Sequence, residues 1–346
     1  MNKRLTKFFI KNKIENILVV RKHNQIGDML CSLTLYAALK KKFPDAKITL
    51  VVSPTNYKID YKEINPYIDN VLVYKKGSIG NILYFYKKLR KTKYQVGIVP
   101  STIRLSNTSH LINFFSGAKL RVGINSINGK SNKAAILLNV KSDFSWEETH
   151  QIERNLDVVK QIGCDLSREE IKSIRINLSA DDEKFADEFV KRNFPNKTKK
   201  IIAFHPGAGE IYKMWDTENF IKLIKLLNDK YKCYILVTAG AIDEDIISKI
   251  LNSDELNRIE IKTLTNASVK QLASVLKKVN LYITSNTGVL HISHFAGVNT
   301  LCLTVNDLVS DWMYKSETES YVAAEKINDI TVEEVLEESS EILERS

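Results

Sequence analysis

Two series of short apolar runs, each run followed by an amphipathic stretch, constrain this chain more than any other feature of its 346 residues. In the first half "NILVV", "ITLVV", "VLVY" and "VGIVP" alternate with stretches such as "MLCSLTLYAALKKKF" and "GNILYFYKKLRKTKY". In the second half "KKIIAFH", "KCYILVTA", "RIEIKT", "LYITS" and "TLCLTV" alternate with "ENFIKLIKLLNDKY", "DEDIISKIL", "VKQLASVLKKV" and "VLHISHFAG". Most of these runs are too short for helices and lack polar alternation, which suits strands covered on both faces. The alternation predicts an α/β chain with two parallel sheets, one per half, each flanked by helices. Between the halves, "SWEETHQIERNLDVVKQIG" reads as a helix ending at Gly163, a C-cap glycine. The polar stretch "CDLSREEIKSIRINLSADD" is then a linker, giving one domain over 1–170 and another over 171–330. The closing residues 331–346, "TVEEVLEESSEILERS", read as an acidic amphipathic helix, either a frayed tail or a strut packing back on the first domain.

The formal net charge is +10, with much of the excess before residue 200. Such a surface suits nucleic acid, anionic lipid or a phosphorylated substrate. Any single basic run, such as "KKLRKTKYQ", is more simply a solvated face. No helix-turn-helix pattern, zinc-finger spacing or RNP-type motif accompanies the charge, so no nucleic-acid partner is expected. Cys31, Cys164, Cys233 and Cys302 form no CxxC pair, and Cys233 and Cys302 lie within apolar runs, as buried reduced thiols do. The N-terminus has the basic start of a signal peptide, but its first apolar run is three residues long and no small-residue cleavage site follows. Nothing approaches the roughly twenty apolar residues of a membrane span. A cytoplasmic protein is expected.

Ligands of parallel α/β sheets collect beyond the carboxyl ends of the strands, so the strand-to-helix turns are where chemistry is expected. The first turn is "VVRKHNQIGDML", where Gly27-Asp28 opens an apolar helix. Asp28 by itself reads as a helix cap, but a carboxylate at that end is also placed to accept a proton from a substrate hydroxyl. Gly27 admits another molecule close to the backbone, and the strand before it ends near Arg21.

The second turn is His205-Pro206-Gly207-Ala208-Gly209, followed by Lys213, Trp215 and a helix beginning near Asp216. Its glycines free backbone N–H groups to turn toward an anion, and Lys213 adds a mobile positive charge. The spacing is neither GxGxxG nor GxxxxGK[ST], so this is neither a dinucleotide fingerprint nor a P-loop. His205 taken alone is as readily structural as functional.

The third turn, Asn286-Thr287-Gly288, joins a strand to the helix "VLHISHFAG" and offers N–H groups to a phosphate. His291 falls in its first turn, within reach of a ligand. His294, one turn deeper, suits a packed or hydrogen-bonded role. A metal would want more Cys, His, Asp or Glu ligands than the pair supplies, so no metal site is assigned. "DED" at 243–245 could resemble a DxD metal motif, but it more simply supplies acids to a helix N-terminus.

Taken together, "IGDML…LKKKFPDAKITLVV", "HPGAGEIYKMW…FIKLIKLL" and "SNTGVLHISHFAGV" resemble, in order and spacing, the heptosyltransferases of glycosyltransferase family 9. The resemblance extends over nearly the whole chain, including "LRVGIN" and "HQIERNLDVVKQIG". It implies a GT-B fold, two Rossmann-like domains with parallel sheets facing across a cleft. The implied activity is inverting and needs no metal or other cofactor: a heptose moves from ADP-heptose onto lipopolysaccharide core. Asp28 matches the family's general base and Lys213 its phosphate-binding lysine. Donor and phosphate contacts fall on His205, Gly207, Ala208, Gly209, Asn286, Thr287, Gly288 and His291. Arg21 and Gly27 fall on the acceptor side. At Asn286 the family usually carries aspartate, which puts the donor sugar in question. The basic first half suits an anionic glycolipid acceptor at the inner membrane surface.

Other classes are also open to such a chain. An NAD-type oxidoreductase would show a glycine fingerprint after the first strand and an acid closing the second, where "RKHNQIGD" and "VVSPTN" stand instead. A transferase of the same fold using another nucleotide sugar, or a basic lipid- or glycan-binding module without activity, would be consistent with Asn286.

Overall fold

The computed structural model describes residues 3–22, 25–54, 61–314 and 316–345. It divides into two compact units, Met1–Ile174 and Arg175–Ser346. The division falls inside the polar stretch read as a linker, at 174/175 rather than 170/171. That stretch is not featureless: it holds a short helix, Arg168–Ser173, closed by a capping box between Ser167 and Glu170. A second box, Ser179 with Asp182, starts the helix Ala180–Asn193, for which the apolar pattern gave no signal.

The first unit contains β1 (Asn16–Val20), β2 (Lys47–Val52), β3 (Asn70–Val73), β4 (Val96–Ile98), β5 (Leu120–Ile127), β6 (Lys130–Ser131) and β7 (Val140–Phe144). The sheet runs β3-β2-β1-β4-β5-β6, with β7 also on β5. All pairs are parallel except β5 with β6. Ile17, Leu18 and Val19 of β1 are fully buried, which is why that strand reads as an unbroken apolar run. The stretch read as one helix over 29–43 is two, Ile26–Cys31 and Leu33–Lys42. They part at Ser32, whose hydroxyl donates to the Met29 carbonyl at 2.7 Å and competes with the helical ladder.

The second unit contains β8 (Ile201–His205), β9 (Tyr234–Ala239), β10 (Ile261–Thr265), β11 (Leu281–Ser285), β12 (Thr300–Val305) and β13 (Glu319–Ala324). They form a wholly parallel sheet in the order β10-β9-β8-β11-β12-β13. The closing helix, Val332–Arg345, is an ordered helix of the second unit rather than a frayed tail. Its Val335 and Leu343 are fully buried in the second unit's own core, together with Leu223 and Leu227 of the helix Thr217–Tyr231. Lys230 Nζ to Ser340 Oγ at 2.8 Å fixes the pairing of these two helices.

The cysteines are buried free thiols, and burial pushes the Cys233 thiol up to about 11. No helix among the described residues is long and apolar enough to cross a membrane.

Gly97 of β4 is the tightest point of the first sheet: a Cβ there would fall on Asn113 Oδ1 and within 2.9 Å of Ala118 Cβ. Gly97→Ala should therefore destabilise by roughly 1–3 kcal/mol through overpacking, read as a lower thermal midpoint. Gly77→Ala, whose Cβ would meet only Asn81 Nδ2 at 3.4 Å, should leave the midpoint where it is.

Candidate active site

In each sheet the strand order reverses beside the first strand, between β1 and β4 in the first unit and between β8 and β11 in the second. Crossovers leave such a point toward opposite faces and open a crevice at the carboxyl ends of the strands. All three turns singled out from the sequence lie at these two points.

In the first unit β1 ends at Arg21, whose N–H donates to the Val51 carbonyl at 3.0 Å. The helix Ile26–Cys31 has Gln25 at its N-cap, so Gly27 and Asp28 are its second and third residues. Asp28 is thus not the cap. Its buried carboxylate lies 3.8 Å from Arg21 Nη2, with both side chains almost wholly covered. Arg21 Nη1 donates to Asn155 Oδ1 at 2.7 Å, and Asn155 Nδ2 in turn donates to the Gln151 carbonyl. The helix Gln151–Lys160, which carried no candidate residue in the sequence, therefore orients the guanidinium beside Asp28. Nearby, burial pushes the Tyr36 phenol up despite the positive charge of Arg21, so it stays neutral.

Arg21 also lines a small cavity at the β1–β4 reversal, with Lys22, Ser101, Thr102, Arg104 and Ser106. Burial, together with the neighbouring Lys76, depresses the Lys22 ammonium. Thr102 Oγ1 is buried there without a hydrogen-bond partner. A cationic, hydroxyl-bearing lining of this kind suits an anionic group.

In the second unit β8 and β11 are adjacent, with His205 opposite Thr284, so the turns that follow leave the sheet side by side. Among the described residues, the N–H groups of Gly207, Ala208 and Gly209 make no backbone hydrogen bond. The same holds for Thr287, Gly288 and Val289 at the start of the helix Gly288–Ala296. The hydroxyls of Ser285 and Thr287 are buried and without partners beside them. Donors left over at a helix N-terminus make a site for phosphate.

Gly207 is required where it stands, because a Cβ there would strike the Asp243 carboxylate. Asp243 belongs to the "DED" run and holds the N-cap position of the helix Glu244–Leu251. It is buried, accepts the Gly240 N–H at 2.7 Å, and faces His205 Nε2 at 3.8 Å. His205 Nδ1 lies 3.1 Å from Thr238 Oγ1. Burial lowers the His205 pKa against the pull of Asp243. His205 and Asp243 thus support the turn from beneath.

Lys213 follows on a short 3₁₀ turn, Ile211–Lys213. Its Nζ pairs with Glu210 Oε2 at 2.7 Å, and that contact holds the half-exposed Glu210 carboxyl below its ordinary value. The loop is anchored behind Lys213 by Trp215, whose buried Nε1 donates to the Ile330 carbonyl at 2.9 Å.

Asn286 is buried and donates from Nδ2 to Thr304 Oγ1 at 3.2 Å. His291 is buried, with Nδ1 2.6 Å from the Tyr314 hydroxyl and its ring against Trp312. His294 stacks on Tyr314 and pairs with the Glu319 carboxylate at 2.8 Å. The two histidines therefore belong to an aromatic and acidic cluster behind the turn. Among the described residues no three His, Cys, Asp or Glu side chains are grouped so as to hold a metal ion.

Asn155, Asp243, Thr238 and Tyr314 escaped the sequence. Only Asp243 had left a trace there, as an acid just ahead of a helix one strand on from the glycine that needs it.

Against known proteins, the family model for glycosyltransferase family 9 (heptosyltransferase) matches residues 82–304, more than half of the chain. Lipopolysaccharide heptosyltransferase 3 of Escherichia coli K12 is 24% identical over 308 residues, covering 86% of this chain and 84% of that one. The crystal structure of a family 9 glycosyltransferase from Veillonella parvula superposes with a TM-score of 0.78 at 16% identity, covering 97% of this chain and 99% of that one. E. coli ADP-heptose lipopolysaccharide heptosyltransferase II gives 0.74 at 19% identity, covering 95% and 99%. The two parallel-sheet units are those of the GT-B fold, and the chain belongs to glycosyltransferase family 9, the heptosyltransferases.

Proposed function

We propose that the chain moves a heptose from ADP-heptose onto a lipopolysaccharide-core or related glycan acceptor, with inversion and without a metal ion. The observation that carries this is the double row of unbonded N–H groups, 207–209 and 287–289, after neighbouring strands of one sheet. They suit the two phosphates of a nucleoside diphosphate. Lys213 adds a cation once Glu210, whose carboxyl is half exposed, gives it up.

In the reaction the acceptor oxygen attacks the anomeric carbon from the face opposite the diphosphate. The bond from that carbon to the phosphate oxygen breaks, and its electron pair leaves with the ADP. Lys213 and the N–H rows stabilise the growing negative charge, as preorganised donors do without a metal. Asp28 takes the acceptor proton. Arg21, at 3.8 Å, supplies the counter-charge a buried carboxylate needs. The cationic cavity at Arg21, Lys22 and Arg104 suits a charged group of the acceptor. The work is done in the cytoplasm, against the inner membrane surface that carries such a glycolipid. A transferase of the same fold with another nucleotide sugar is the competing reading, favoured by Asn286.

Asp28→Ala should lower turnover by ~10²–10⁴ while ADP binding by the second unit persists. Since the substitution also strips Arg21 of its partner, Asp28→Asn is the companion variant, keeping shape and a hydrogen-bond acceptor. It should lose activity to a similar degree with a smaller change in thermal midpoint. Activity falling only in step with stability would leave Asp28 as a structural partner of Arg21.

Asn286→Asp should keep the fold, because a carboxylate can accept from the Thr304 hydroxyl now bonded to Asn286. It adds an acceptor for sugar hydroxyls worth ~1.5–3 kcal/mol and a charge whose repulsion by the diphosphate is ~2–4 kcal/mol at short range. Donor kcat/KM should change at least about fivefold, ~1 kcal/mol, with acceptor KM little moved. Unaltered donor kinetics would remove the turn from the donor site.

A further inference from the structure

We propose that the first unit docks on an anionic bilayer through the outward faces of two neighbouring helices, Ile79–Leu89 and Asn107–Phe115. The inference deepens the glycolipid-acceptor reading above and rests on it for the acceptor's location. Inward, the first helix buries Phe85 and Leu89 in a cluster with Tyr74, Tyr94 and Ile112. Outward it presents Ile79, Leu83 and Tyr84, exposed by 77%, 64% and 60%. A helix packed on one face ordinarily carries polar residues there.

The second helix repeats the pattern. It buries His110, Ile112 and Asn113 and exposes Leu111, Phe114 and Phe115. The two faces adjoin: the Tyr86 and Phe115 rings meet edge to face at 5.8 Å, and Arg90 Nε donates to the Phe115 carbonyl at 2.9 Å. Single exposed apolar residues are ordinary, but six on two touching helices form a patch that needs an occupant.

Charge selects the occupant. Between Asp69 and Asp143 the chain has no Asp or Glu. Lys75, Lys76, Lys87, Lys88, Arg90 and Lys91 surround the first helix. A nucleic acid would use the cations and leave the aliphatic side chains in water. A second copy would set one cationic rim against another. Anionic headgroups over an acyl boundary satisfy both halves of the patch. The surface also runs toward the acceptor side, since Ser106, the N-cap of the second helix, lines the cavity at Arg21. A lipid-anchored acceptor could then enter that cavity without leaving the membrane.

The test is co-sedimentation of the full chain with vesicles of equal parts phosphatidylglycerol and phosphatidylcholine, beside vesicles of phosphatidylcholine alone. Wild type should bind the anionic vesicles and release them in high salt. Leu83→Glu with Phe114→Glu, and separately Lys87→Ser with Lys88→Ser, should each weaken binding by about tenfold or more. ADP release with a water-soluble acceptor should be unchanged in both. Equal binding by wild type and variants, no binding to anionic vesicles, or a wild-type dimer broken by Leu83→Glu would overturn the proposal. Vesicle binding that the variants abolish, without any release of ADP from ADP-heptose, would sustain this surface and refute the transfer reading instead.

Discussion

A backbone N–H must find an acceptor in the protein, in water or in a ligand, and the second unit concentrates such unmatched donors at one place. The reversal of strand order between β8 and β11 sends two turns out of the sheet side by side. Neither turn can use its N–H groups in a ladder. Much of the surrounding structure serves to hold those turns still. Asp243 packs against the bare face of Gly207 and pins Gly240, Trp215 ties the following loop to the Ile330 carbonyl, and Asn286 is fixed to Thr304. Donors held rigid in advance need no reorganisation when negative charge develops beside them, which is the basis of electrostatic catalysis.

The first unit meets the opposite problem. It buries a carboxylate and a guanidinium that would each be costly alone. Arg21 spends one nitrogen on Asn155 and faces Asp28 with another, so the carboxylate is held by charge and the guanidinium by a helix 134 residues away in the chain. Replacing such a pair by apolar side chains often stabilises a fold. Its presence at the end of the central strand fits a chemical role better than a structural one. On the proposed reading, the first unit supplies a buried base and its counter-ion and the second a cradle of backbone donors.

How much of this the sequence disclosed depended on whether a contact was local. β1, β2, β8, β9, β11 and β12 were legible because strands covered on both faces write continuous apolar runs. β7 and β13 were not, because their residues are largely half-exposed and read as "VKSDF" and "ESYVAA". The break at Ser32 was hidden in an unbroken apolar pattern, since one hydroxyl bonding backward leaves no periodic trace. In the site, the glycine turns were visible as turns, and Lys213 stood after the second of them as a mobile cation. Asp243 looked like any acid at a helix start, and its meeting with His205 and Gly207 arises only when β9 lies beside β8. Tyr314 likewise reaches His291 and His294 only through tertiary packing, and that packing buries His291.

Nucleotide release from purified protein offered ADP-heptose, UDP-sugars and GDP-sugars with a glycan acceptor, with and without EDTA, tests the central claim most directly. Rapid release of ADP from ADP-heptose, little release from the other donors and no effect of EDTA are predicted, because protein N–H groups and Lys213 are proposed to carry the diphosphate charge. Preference for a UDP- or GDP-sugar would contradict the assigned donor. Activity abolished by EDTA and restored by Mg²⁺ or Mn²⁺ would contradict the metal-free cradle itself.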